Sequence, residues 1–388
     1  MAKVLILGGG FAGVEAAIFL RKNNHDVTLV SDREYMFIFP TSIWVPVGIT
    51  TFDDVCISLD ELSAVHGFTW HKDAVTKIDA AQKKVTCESQ TFSDYDYLVV
   101  AMGAHKMTHA GIEHTLSICG KPEESVKLKE AIDILVEKRV GKIAMGFGGN
   151  PNDTSAVRGG PGFELLFNVH NMLKKKGLRN NFELTFFAPM EKPGAKMGEQ
   201  ALDMMDVFFK KLNIKKQVGT KIKAFEKDGI VFEDGTKVES DLVMYIPAGR
   251  GHQVVVDSDL PVSESGFVKI NDYSQVEGHE HIFAIGDTAE LDGPQWRAKQ
   301  GHVAEVMARN TAHNIDVLES GEGEMHGYKE HLNILCVMDT GDGAAFVYRN
   351  DKRGYMIPMP FVGHWLKRGW GWYCRASKLN KFPRLPGM

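Results

Sequence analysis

Cysteine is scarce in this chain, and no two cysteines stand close enough to make a motif. The 388 residues include five, at positions 56, 87, 119, 336 and 374, with no CxxC pair among them. That spacing signals neither a zinc site nor a secreted disulfide framework, so no metal is expected and a reducing compartment is the default. Basic excess is also missing. Lys+Arg number 45 against 50 Asp+Glu, a net charge of −5, and nucleic acid is therefore excluded as a partner, because nothing is in surplus to neutralise phosphates. The start lacks the charged, apolar and small-residue regions of an export signal, since Met1–Gly10 runs straight into an apolar strand; Sec export is not expected. The longest uncharged run, Tyr35 to Phe52, contains Pro40, Pro46 and Gly48, which disfavour a helix. It reads as a buried loop, and no transmembrane segment is expected.

What remains is ordinary globular material, 44% hydrophobic and 24% charged, in a length that fits two or three domains. Lys3–Leu7 is an apolar β-rich run, Gly8–Gly13 a glycine turn, Gly13–Asn23 a helix with apolar residues at helical spacing, and Val27–Val30 a second strand. Together they make a βαβ unit. Phe68–Val100 reads as a β-meander ending in the buried strand Tyr97–Ala101. A second α/β unit follows from Cys119: helix Glu123–Val140, strand Lys142–Met145, helix Phe163–Lys176 and strand Glu183–Ala188. A weak internal repeat sets Asp241–Gly249 against Asp94–Gly103. A long helix is expected from Arg297 to Leu318, then a mixed region from Gly327 to Met388.

Gly8-x-Gly10-x-x-Gly13 lies directly after a strand and opens a helix, the context of the dinucleotide fingerprint. Its glycines let the backbone approach a pyrophosphate whose charge the helix N-terminus stabilises. An acid is expected after the second strand for the ribose hydroxyls; Ser31 holds that place, so Asp32, just beyond it, is the candidate. Ile282-Phe-Ala-Ile-Gly286-Asp287 puts a carboxylate at a strand end, where it would accept hydrogen bonds from a ribityl chain. Lys299-Gln300-Gly301 opens the long helix, so an ammonium and a positive helix end would stand together there, facing the flavin pyrimidine ring that the resemblance named below implies; a surface lysine is the alternative. The second unit begins Gly146-Phe-Gly148-Gly149-Asn150-Pro151-Asn152-Asp153. The third glycine is absent, so nicotinamide binding there is not expected.

With Gly286-Asp287 and the turn Ala101-Met-Gly103, the chain resembles the FAD-dependent pyridine nucleotide-disulfide oxidoreductase superfamily, which implies bound FAD. The lack of a cysteine pair excludes its glutathione and thioredoxin reductase branch. Further segments resemble the sulfide:quinone oxidoreductase and flavocytochrome c sulfide dehydrogenase family. They are Ser31–Pro40 with Ile43-Trp44-Val45, Leu116-Ser-Ile-Cys119, Gly160-Pro161-Gly-Phe-Glu164 and Ile334-Leu-Cys336. The resemblance implies that Arg33 and Pro40 lie against the flavin and that Cys336, Cys119 and Glu164 are catalytic. One position departs: the family has a cysteine three residues before the Gly-Pro proline, and this chain has Arg158. The usual two-cysteine sulfur bridge cannot form there. Cys119 and Cys336 would act together, or Cys336 alone with an external sulfur acceptor, or the donor is not sulfide; a useful thiolate would draw on Arg158 if the two are close. The alternative for both thiols is packing as small hydrophobes.

Phe361 to Met388 interleaves Trp365, Trp370, Trp372 and Tyr373 with Lys367, Arg368, Arg375, Lys378, Lys381 and Arg384, and contains no acid. This reads as an interfacial anchor beside a quinone entrance, with a basic surface helix or a homodimer contact as the alternative; a homo-oligomer stays open. The expected fold is α/β, with two Rossmann-like dinucleotide-binding domains and a C-terminal α+β membrane-interaction region. The divisions are 1–118 with 265–320 for FAD, 119–264 for the second domain and 321–388 for the quinone and membrane region. The expected function is oxidation of a small sulfur substrate with electrons passing through FAD to a quinone, at a peripheral site on the cytoplasmic (inner) membrane. The rivals are an NADH:quinone oxidoreductase, the flavin subunit of a flavocytochrome, and a flavin-bearing assembly protein without turnover.

Overall fold

The computed structural model describes residues 1–384. The first sheet is five-stranded and parallel, built around β1 (Lys3–Leu7). Helix α1 (Phe11–Lys22) returns the chain to β2 (Asp26–Ser31), beside which lies β3 (Thr69–Lys72). On the other side of β1 stand β4 (Tyr97–Val100) and, from far along the chain, Ile282–Ala284. Strands β1, β4 and Ile282–Ala284 are buried almost throughout, as apolar strands covered on both faces of a parallel sheet are. Register fixes the site. Leu7 pairs with Val30 and with Val100, and Val100 with Ala284. The segments Gly8–Gly10, Ser31–Arg33, Ala101–Gly103 and Gly286–Asp287 therefore all emerge at one carboxyl edge, where ligands of such sheets bind.

The second sheet, also parallel and five-stranded, starts with β5 (Thr115–Leu116), so the crossover comes before residue 118. Helix α2 (Glu124–Lys138) leads to the central β6 (Gly141–Phe147), followed by helix α3 (Gly160–Lys175), β7 (Phe182–Ala188), β8 (Lys215–Val218) and β9 (Leu242–Ile246). The weak repeat has a physical counterpart. Asp96, at the start of β4, accepts from the Lys3 backbone N–H at 2.7 Å, and Asp241, at the start of β9, accepts from that of Lys142 at 2.7 Å. Each carboxylate clamps the entrance of its sheet's central strand.

Strand β10 (Ile282–Ala284) completes the first sheet, and helix α4 (Gly301–Ser320) packs on α1. The C-terminal region is an antiparallel sheet of β11 (Ile334–Asp339), β12 (Gly343–Arg349) and β13 (Gly354–Pro360), closed by helix α5 (Val362–Lys378). Two expectations change. Tyr35 to Phe52 is largely buried but holds a strand at Tyr35–Phe37 and a helical turn at Phe39–Ser42, and the Trp44 indole donates to Asp339 at 3.1 Å. The long helix starts at Gly301, not Arg297.

Helix α5 is tied to both lobes by buried ion pairs. Its Lys378 reaches Glu15 of α1 at 2.8 Å and Glu305 of α4 at 2.7 Å, and Arg309 meets Glu15 at 2.8 Å. Its Lys367 pairs with Glu164 of α3. No described helix is long and apolar enough to cross a membrane, and no cluster of potential metal ligands occurs among the described residues.

Candidate functional site

One cavity of about 1970 Å³ runs along the carboxyl edge of the first sheet, past the second lobe, to helix α5; small-molecule sites are roughly 300–1,000 Å³. Three helix N-termini line it, at Gly10, Gly159 and Gln300, and none has a side-chain cap. Their orphan N–H groups leave an anion-favouring surface. The glycine turn is built for close approach. A Cβ on Gly13 would lie 1.9 Å from the Gly8 carbonyl oxygen, and one on Gly8, whose φ is +113°, 2.4 Å from that of Ala101. A Cβ on Gly10 would meet nothing within 4 Å, so the backbone there is open to the cavity and not closed by protein packing. These residues fit a dinucleotide. Asp32, Arg33, Pro40, Ala101, Gly103, Gly286, Asp287 and Gly301 line the same cavity.

The corresponding turn of the second lobe is closed. Asn150 Oδ1 accepts the backbone N–H groups of Asn152 at 3.0 Å and Asp153 at 3.2 Å, its amide donates to the Gly249 carbonyl at 2.9 Å, and Asp153 accepts from the Ser155 N–H at 2.8 Å. Residues 148–159 separate β6 from α3. A Cβ on Gly148 would strike the Tyr245 hydroxyl at 2.3 Å, so that glycine serves packing.

At the C-terminal end of the cavity Cys336, on β11, donates to Glu164 Oε1 at 3.6 Å, and Glu164 Oε2 takes the Lys367 ammonium. Burial pushes Glu164 up to about 7, against the pull of Lys367. Burial and then the Glu164 charge push the Cys336 thiol up to about 12, which corrects the expectation of a thiolate supported by Arg158. Arg158 pairs with Asp287 instead. Cys119, also buried, faces the cavity and lies within electrostatic reach of Lys106. All five cysteines are free. Lys299 precedes its helix and lines the cavity, buried and not on the surface; its ammonium donates to the Ala289 carbonyl and lies 3.8 Å from the Phe267 ring centre. Burial lowers it to about 7.

The C-terminal aromatics divide. Trp365 and Trp370 line the cavity, whereas Phe361 and Trp372 do not. Phe361, Trp365 and Trp372 are 77%, 68% and 61% exposed. Phe361 sits at φ +62°, a conformation uncommon for a bulky residue. The cationic half of the expected anchor is mostly used internally: Lys367 and Lys378 are buried in ion pairs, Arg384 meets Glu15, and Arg375 donates to the Cys56 carbonyl at 2.5 Å. Arg368 and Lys381 stay exposed. Sequence reasoning placed Lys367 on the surface and passed over Lys106; the buried Glu164 implied a cationic partner, but a separation of 203 residues hid it.

The family model for pyridine nucleotide-disulphide oxidoreductases matches residues 2–308. A sulfide-quinone reductase of Aquifex aeolicus is 27% identical over 373 residues, 90% of this chain and 84% of that protein. A type II NADH:quinone oxidoreductase of Staphylococcus epidermidis is 24% identical over 378 residues, 91% of each. The structure of the sulfide:quinone oxidoreductase from Aquifex aeolicus superposes with a TM-score of 0.87 at 24% identity, covering 98% of this chain and 92% of that one; at that identity it speaks for the fold. With the glycine cradle and a match over most of its length, the chain belongs to the pyridine nucleotide-disulphide oxidoreductase family and is an FAD-dependent oxidoreductase.

Proposed function

We propose that the protein oxidises sulfide, or a related sulfur compound, and passes the electrons through FAD to a quinone at a membrane surface. The observation that carries this is the Cys336–Glu164–Lys367 arrangement in the cavity shared by the glycine cradle and Trp365, together with the closed second-lobe turn. In this assignment Gly8, Gly10 and Gly13 admit the pyrophosphate, Asp32 takes the ribose, and Asp287 takes the ribityl hydroxyls. Arg33, Pro40, Ala101, Gly103, Lys299 and Gly301 complete the cradle. FAD, when bound, accepts two electrons from the donor and yields them to the quinone.

The protein's own residues handle sulfur and protons. Glu164 takes the Cys336 proton on Oε1, and with a carboxyl at about 7 it is poised as a base near neutral pH. Lys367 fixes the carboxylate. The Cys336 thiolate and HS⁻ then join as a persulfide, releasing one proton and two electrons. A second HS⁻ takes the outer sulfur, leaving as HSS⁻ and restoring the thiolate. Trp365 and Trp370 border the quinone end, and the exposed Phe361 and Trp372 rest in the lipid headgroup region. Cys119 faces the sulfur path.

The second reading, NADH:quinone oxidoreduction, draws on the similarity to a type II NADH:quinone oxidoreductase; the Asn150 turn weighs against it. The test is anaerobic flavin absorbance on mixing with sulfide, then with a quinone analogue. Bleaching that the quinone reverses and Cys336→Ser slows by roughly 100-fold or more, as loss of a nucleophile does, supports the assignment. Unchanged bleaching in the variant would remove Cys336 from the reaction.

A further inference from the structure

Lys106 lies on the two-stranded ribbon that joins the lobes, His105–Lys106 against Gly249–Arg250. It lines the cavity with Arg158 and Cys119, and among the described residues its ammonium meets no acid. Burial and then Arg158 press it down to about 8, the nearby Cys119 acting the other way. The cations go on: Arg158 and Lys299 feel each other, and Lys196, which also lines the cavity, feels Lys299. Against them stand Asp287, already paired with Arg158, and Asp153 and Glu290 on the Lys299 side. Among the described residues no carboxylate pairs with Lys106. Gathering like charges in a partly buried space is unfavourable unless an anion joins them, and the uncapped α3 N-terminus at Gly159 adds to the same field.

We propose that Lys106 and Arg158 form an anion subsite at the Cys119 end of the cavity, which binds the negative end of a sulfur species, either a sulfur oxyanion or a polysulfide chain. The sulfur identity rests on the function proposed above, whose released HSS⁻ is such an anion; the cationic subsite rests on the cavity lining that Lys106, Arg158 and Cys119 share, with their electrostatics beside it. It also gives the arginine that stands in place of the family's cysteine a role, holding sulfur by charge where a covalent bridge is lost.

The experiment uses the oxidised Cys336→Ser holoenzyme, so that turnover does not intervene, at constant ionic strength. Sodium thiosulfate and sodium tetrasulfide are titrated separately, with calorimetry and the flavin difference spectrum as readouts. At least one anion is expected to bind saturably, and which one identifies the source. Lys106→Met weakens it by roughly 10-fold or more, the scale of a lost charge-assisted hydrogen bond, while Lys106→Arg retains it. Binding of neither anion, or equal binding with and without Lys106, overturns the proposal. So does loss of flavin from Lys106→Met, which would place Lys106 in the cofactor site. If sulfide fails to bleach the wild type while anion binding still depends on Lys106, the sulfide assignment falls and the subsite stands.

Discussion

Strands β1 and β6 hold equivalent places in their sheets, each between two parallel neighbours and each clamped at its entrance by an aspartate. The turns that follow have opposite chemistry. After β1 the helix begins at Phe11, its N-cap Gly10 offers no side chain, and space is left open. After β6 the helix waits until Gly160, and side chains of Asn150 and Asp153 occupy the backbone N–H groups. The comparison teaches that two sheets of one architecture can carry unlike turns: in the second, the N–H groups of Asn152, Asp153 and Ser155 are taken up by side chains of the turn itself, and only the later helix start at Gly159 stays uncapped.

The comparison can be broken most severely at Gly10. Valine there displaces the pyrophosphate while its Cβ enters space free of protein atoms, so the flavin-to-protein absorbance ratio of the purified variant should collapse by roughly 10-fold or more. Its apo thermal unfolding should stay near wild type.

Helix α5 supplies a second contrast, since each lobe sends one buried glutamate to it. Burial alone would raise Glu15, but Lys378 and Arg384 hold it well below the usual carboxylate range, whereas Glu164, with Lys367 alone, rises to about 7. A depressed folded pKa contributes stability that is present above the unfolded value near 4.3 and lost as pH falls through and below it. Glu15→Gln should therefore lower stability at pH 7 by about 3–5 kcal/mol, with the difference from wild type shrinking in acid, as denaturant titrations across pH would show. Glu164→Gln should leave FAD content unchanged and remove the ionisation near neutral pH from the rate of flavin reduction. An unchanged pH profile would deny Glu164 its proton.

The smallest effect belongs to the second turn. Gly148→Ala meets Tyr245 and should cost about 1–3 kcal/mol of stability, read by thermal unfolding, with no loss of flavin. Retention of FAD in this variant and its loss in the Gly10 variant would sharpen the difference between the lobes.

What could be read from sequence was local. The strand, glycine turn and helix from Lys3 to Lys22 are contiguous, and Gly286-Asp287 follows an apolar strand directly. The long-range pairings were not legible. Lys378 belongs to a run without acids and so read as an exposed cation, yet its partners Glu15 and Glu305 lie 363 and 73 residues away. Whether Arg158 lies close to Cys336 was left open by the sequence; the fold gives it Asp287, which reaches the same edge by way of β10.

The most direct test of the account compares two donors on one sample: anaerobic holoenzyme is mixed with NADH or with sulfide, and flavin absorbance is followed. The account predicts bleaching by sulfide and none by NADH beyond slow background. Rapid bleaching by NADH with no response to sulfide would contradict it, because NADH would then be the donor and the second reading would stand.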